Sequence, residues 1–85
     1  MKIQDFLKQI KPRWKYAATD ENGEIYFYSA KPRICDNFWV CADENDSAIR
    51  IDDVFTEDEL FDIKPFEGDW KDSLIERKRN DGKLI

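Results

Sequence analysis

The sequence predicts an α+β domain in which an N-terminal helix packs on an antiparallel sheet of three or four strands, closed by short C-terminal helical turns. Three observations carry that expectation. Apolar residues Ile3, Phe6, Leu7 and Ile10 recur at helical spacing. Two aromatic and β-branched runs flank an Asn22-Gly23 pair. Thr56-Glu57-Asp58-Glu59 has the pattern of a capping box late in the chain.

Taken in order, the first helix follows from the i, i+3, i+4, i+7 apolar stripe and is expected to end at Pro12, whose ring cannot continue it. Trp14 to Thr19 and Glu24 to Ser29 then read as a hairpin. A two-residue loop at Asn22-Gly23 sets Thr19 opposite Tyr26, Ala18 opposite Phe27 and Ala17 opposite Tyr28. One face of that hairpin carries Trp14, Tyr16, Ala18, Ile25 and Phe27, and the other Tyr26 and Tyr28. Lys31 to Asn37 contains proline and turn formers and reads as a connection. Phe38 to Ala42 is expected as a third strand and Ala48 to Asp52 as a fourth, the two paired as a second hairpin. Thr56 caps one or two helical turns before Pro65, and Asp69 to Arg77 is read as an anchoring helix or turn, with Trp70 and Leu74 at i, i+4.

At 85 residues one small domain is expected, spanning 1–78, with 79–85 a frayed end because no apolar periodicity continues there. Charged side chains make up 39% of the chain, a level typical of disorder, but aromatics at 14% supply enough buried area to fold it. The opening residues Met1 to Asp5 lack the apolar stretch of a signal peptide, and no segment is long enough to span a bilayer. A cytoplasmic protein is the expectation. In that compartment Cys35 and Cys41 are reduced thiols with a packing role.

Composition narrows the chemistry. With no histidine the chain lacks the commonest general base near neutral pH, and two cysteines at C-x5-C spacing match no zinc or redox pattern. Asp43, Asn45 and Ser47 alternate as calcium ligands do, but Ala48 stands where the loop needs glycine and Val54 where it needs a bidentate glutamate. No metal or cofactor is expected. Carboxylate pairs from Asp52, Asp53, Glu57 or Glu59 are the available acid/base chemistry, yet so short a chain has little material to wall a cleft, and a non-catalytic role follows.

The charge is uneven. Residues 1–40 hold seven basic and five acidic side chains, and 41–85 hold seven and fourteen. Asp43, Glu44, Asp46, Asp52, Asp53, Glu57, Asp58 and Glu59 form the densest run, interrupted by Arg50 alone. Such a run is either a solvated face or a surface that repels phosphate backbones and draws in a basic protein; direct nucleic-acid binding is disfavoured, whereas mimicry of nucleic acid is compatible. Tyr26, Tyr28 and Trp39 are the second constellation. If they share the face away from the first helix they make an aromatic surface that could stack a base or dock a small ligand; otherwise they belong to a core spread over both sheet faces.

Two stretches, Trp14-Lys15-Tyr16-Ala17-Ala18 followed by Asp20-Glu21-Asn22-Gly23-Glu24-Ile25-Tyr26, and Pro65-Phe66-Glu67-Gly68-Asp69-Trp70-Lys71-Asp72-Ser73-Leu74-Ile75-Glu76-Arg77, resemble small accessory proteins encoded by tailed bacteriophages and prophages. The resemblance implies an origin in a mobile element, action inside a bacterial host cell, and a role exercised by binding. Small acidic phage proteins include inhibitors of host defence, among them antagonists of CRISPR effectors, and also structural components. The expectation is therefore a binding module that presents its carboxylates to a basic host protein, with an aromatic ligand site or a structural phage role as the alternatives.

Overall fold

The computed structural model describes residues 1–78; the expectation of a frayed 79–85 lies outside the described residues. The fold is α+β. Helix α1 (Ile3–Leu7) precedes a four-stranded antiparallel sheet built from β1 (Tyr16–Thr19), β2 (Ile25–Tyr28), β5 (Ala48–Arg50) and β6 (Ile75–Glu76) in the order β5-β2-β1-β6. A separate ribbon pairs β3 (Arg33–Cys35) with β4 (Phe38–Val40). Helix α2 (Glu57–Leu60) and two 3-10 turns, Ile51–Asp53 and Trp70–Asp72, complete the described chain.

Both faces of the sheet are covered. On one, Ala17, Ile25 and Phe27 pack with Ile3, Phe6 and Leu7 of α1 and with Ile51 and Phe55. Phe55 meets Phe6 edge-on at 4.9 Å between centroids, a favoured aromatic geometry. On the other, Ala18, Tyr28 and Trp39 form a second core with Tyr16, Tyr26, Cys41, Trp70 and Leu74 against it. A sheet buried on both sides explains how so polar a chain folds: ten of its twelve aromatics are divided between two thin cores, Phe38 and Phe61 staying outside.

The β1–β2 hairpin departs from the expected register by one residue. Thr19 pairs with Ile25, Ala18 with Tyr26, Ala17 with Phe27 and Tyr16 with Tyr28. The loop has three residues, not two: the Gly23 amide donates to Asp20 O and the Asp20 amide to Glu24 O, with Gly23 at φ +90°. This is a type I turn followed by a left-handed residue that only glycine adopts cheaply. The slip moves Tyr16 and Ala18 onto the face of Tyr26 and Tyr28 and puts Ala17 with Ile25 and Phe27, as the period of two requires.

Three further expectations are corrected. The first helix stops at Leu7, short of Pro12, because Arg77 supplies partners to the carbonyls that follow. Its guanidinium donates to Lys8 O, Ile10 O, Lys11 O and Trp14 O at 3.0–3.2 Å. The segment read as a connection contains β3, closed onto β4 by Asp36-Asn37 with Asp36 at φ 55°, a conformation aspartate tolerates. Strand β4 thus pairs with β3, while β5 pairs with β2, so the proposed second hairpin does not form. The anchoring helix or turn expected at 69–77 is present as the 70–72 turn, and the two-residue strand β6, which was not expected, follows it and lies against β1.

Candidate functional site

The acidic run divides into two groups set at opposite ends of the edge strand β5. Because Ala48 pairs with Tyr28 and Arg50 with Tyr26, Asp43, Glu44 and Asp46 lie toward the C-terminal end of β2, and the 51–53 turn lies toward the Gly23 loop. The length of that three-residue strand separates the two groups.

The 43–46 group is largely occupied with holding its own loop. Asp43 Oδ1 accepts from the Asn45 amide at 2.8 Å, Asp46 Oδ2 accepts from the Asp43 amide at 3.2 Å, and the Asp46 amide donates to Asp43 O at 3.0 Å. Such side-chain turns are the usual use of aspartate in a tight connection. The base of the loop is fixed by the Ser47 amide donating to Ser29 Oγ and by Arg13 donating to Ser47 Oγ. Of the three, Glu44 alone has no hydrogen bond or ion pair among the described residues.

The second group forms a corner. Arg50 donates to Asp52 Oδ1 and, through Nη1, to Glu24 Oε2 at 3.1 Å, so Asp52 is neutralised within the fold. Thr56 and Glu59 complete the capping box read from the sequence: the Thr56 amide donates to Glu59 Oε1 at 2.7 Å and the Glu59 amide to Thr56 Oγ1 at 3.2 Å. Asp53, Glu57 and Asp58 remain exposed, with no side-chain hydrogen bond or ion pair among the described residues. Leu60 and Ile63 tie this corner to the first core. It presents free carboxylates on a fixed base.

The aromatic constellation is found inside the fold. Tyr28 is 2% and Trp39 8% exposed, with Tyr26 half-buried beside them, so the exposed stacking face is replaced by a second core. Trp39 is bound at three points. Its amide donates to Asp20 Oδ1 at 2.8 Å, its carbonyl accepts from Tyr28 Oη at 3.2 Å, and its Nε1 donates to Trp70 O at 3.2 Å. Burial first, and then the charge of Asp20, push the Tyr28 phenol well above its ordinary value, which keeps it a neutral donor. These bonds dock the β3–β4 ribbon onto the sheet, which leaves Tyr28 and Trp39 covered.

The Cys41 thiol offers little nucleophilic chemistry. Burial, reinforced by the charge of Asp46, pushes the Cys41 thiol up, opposite to the shift that activates a cysteine. Cys35 is exposed on β3. Among the described residues no group of three histidine, cysteine, aspartate or glutamate side chains is arranged to hold a metal ion. None of the helices among the described residues is long and apolar enough to cross a membrane.

Phe61, which sequence reasoning passed over, is the most exposed large apolar side chain described, at 89%. It follows α2 directly, and Leu60 beside it turns inward. The sequence carried no signal for it, because adjacent apolar residues on a short helix can both be buried, as Phe6 and Leu7 of α1 are. A groove of about 480 Å³ is lined by Ile3, Phe66 and Ile75 together with Lys2 and Lys64. Lys2 and Lys64 are bridged through their backbones in parallel, and the Lys64 amide donates to Met1 O at 2.9 Å. No family model, curated protein or solved structure matches this chain.

Proposed function

We propose that this chain is a non-catalytic binding module that engages a basic surface on another protein through the carboxylates of the 51–53 turn and α2. The supporting observation is the contrast between the two acidic groups. Asp43 and Asp46 are committed to their loop, whereas Asp53, Glu57 and Asp58 are exposed and free of described partners on a corner fixed by Leu60 and Ile63. Unneutralised charge on a rigid base attracts an oppositely charged surface over about a Debye length, roughly 8 Å at physiological salt, and speeds encounter.

The likeness of the two sequence stretches to phage accessory proteins makes a bacterial host protein the partner class, and inhibition the consequence when the covered surface is a functional one. A nucleic-acid-binding defence protein has the required basic groove, since a surface that binds phosphates also attracts carboxylates. Affinity capture from bacterial lysate, repeated across a salt series, tests the proposal. Capture of a basic protein that declines steeply as salt rises supports it; a partner retained without change at high salt refutes it.

A further inference from the structure

We propose that the chain self-associates as a two-fold dimer in which Phe61 of each copy enters the groove lined by Ile3, Phe66 and Ile75 of the other, beside the paired Lys2 and Lys64. The inference does not rest on the partner-binding proposal. It rests on two complementary features set side by side on one surface.

The first is a knob. Phe61 stands 89% exposed, and Glu57 and Asp58, four and three residues before it, lie on its side of the helix, while Asp62 after it is paired with the Met1 amino group. The second is the groove, whose lining includes the apolar Ile3, Phe66 and Ile75 and, side by side on paired backbones, Lys2 and Lys64. Neither lysine has an ion-pair partner among the described residues, and Glu67 is the acidic side chain in the lining. A volume of about 480 Å³ is ample for an aromatic ring.

Charge complementarity therefore pairs the acidic knob with the basic groove. Their proximity in sequence and space, with only Asp62 and Ile63 between Phe61 and Lys64, makes the exchange reciprocal, since one patch holding both halves of a contact is self-complementary about a two-fold axis. Two aromatic rings bury on the order of 300–500 Å². That is well below the roughly 1,200–2,000 Å² of a standard interface, so the dimer is a weak one, with dissociation in the micromolar to millimolar range. Because it covers Glu57 and Asp58, it competes with any partner that uses them.

Sedimentation velocity of the full chain over a concentration series tests this, with circular dichroism to confirm folding of each variant. Wild type is expected to move from monomer to dimer below millimolar concentration. Phe61→Ala weakens association at least about a hundredfold, because each dimer loses two buried rings at roughly tenfold or more apiece. Asp58→Lys and Lys64→Glu each abolish the homodimer. Mixing those two variants restores a dimer, since the two reversed charges then face each other in one half of the interface while the opposite half keeps its native pair of Asp58 and Lys64. A wild type that stays monomeric at millimolar concentration, a dimer indifferent to Phe61→Ala, or charge variants that fail to recover on mixing would each overturn the proposal.

Discussion

Asp20 joins the two sheets, and its removal is the sharpest test of how the second core is held. Its carboxylate is only 5% exposed and accepts the Trp39 amide at 2.8 Å. In Asp20→Ala that amide loses its acceptor in a buried site, a loss of about 2–3 kcal/mol for a hydrogen bond to a charged group. A chain this size holds roughly 4–13 kcal/mol in total, so the variant should melt about 8–20 °C lower. Asp20→Asn separates the bond from the charge, because its amide oxygen still accepts from Trp39. Burial pushes the Asp20 carboxyl up, the Trp39 bond pulls it partly back, and the charge of Glu24 raises it again. A folded value above the unfolded one means that Asp20 contributes stability in acid and loses it as pH rises through the raised value. Asp20→Asn should therefore equal or exceed wild type at neutral pH and fall behind it near pH 3, the lower end of the carboxylate range. Urea unfolding followed by tryptophan fluorescence at several pH values measures both effects. A loss below about 1 kcal/mol for Asp20→Ala, or a wild-type advantage over Asp20→Asn that grows with pH, would refute the reasoning.

Two other substitutions probe the fold. Ser73, 1% exposed, extends the β1–β6 pairing by a side chain: Oγ accepts from the Thr19 amide at 2.8 Å and donates to Thr19 O at 3.0 Å. Ser73→Ala leaves both groups buried and unpaired and should cost about 2–4 kcal/mol by urea denaturation, with an unchanged slope. Arg77→Ala removes the donors to the carbonyls of Lys8, Ile10, Lys11 and Trp14 and should cost about 1–3 kcal/mol. Hydrogen exchange in this variant should accelerate at Lys15 and Gln9 before it does in β2, and Arg77→Lys should recover only part of the loss because an ammonium lacks the planar fork.

The fold class was legible because it depends on long-wavelength patterns: the apolar stripe at Ile3, Phe6 and Leu7, the Asn22-Gly23 hairpin signal and the Thr56 capping box all appear in the structure. Pairing was less legible, for physical reasons. Loop length decides register, and Asp20 rather than Glu21 closes the turn, so a difference of one residue exchanged the partners of Tyr16 and Ala18. Strands of two or three residues, such as β6 and β3, are too short to display alternation, although Asp36-Asn37 between Ile34-Cys35 and Phe38-Trp39 was a usable turn signal.

The candidate site was half legible. Sequence density located the carboxylates but could not say which of them the backbone would use, and Asp43 and Asp46 are taken by their own loop. Tyr26, Tyr28 and Trp39 do fall together on the face away from α1, yet a reading of β3 as a connection hides the ribbon that covers them. Phe61 escapes notice because adjacent apolar residues on a short helix read as core, and only burial separates Leu60 from its neighbour.

Comparative capture from bacterial lysate with two charge-reversed variants tests the binding proposal most directly. Asp53, Glu57 and Asp58 changed together to lysine reverse the corner, and Glu44→Lys reverses the one loop carboxylate without a described partner. The account predicts that the corner variant, folded by circular dichroism, loses the basic partner captured by wild type, while the loop variant retains it. Retention by the corner variant would contradict the account.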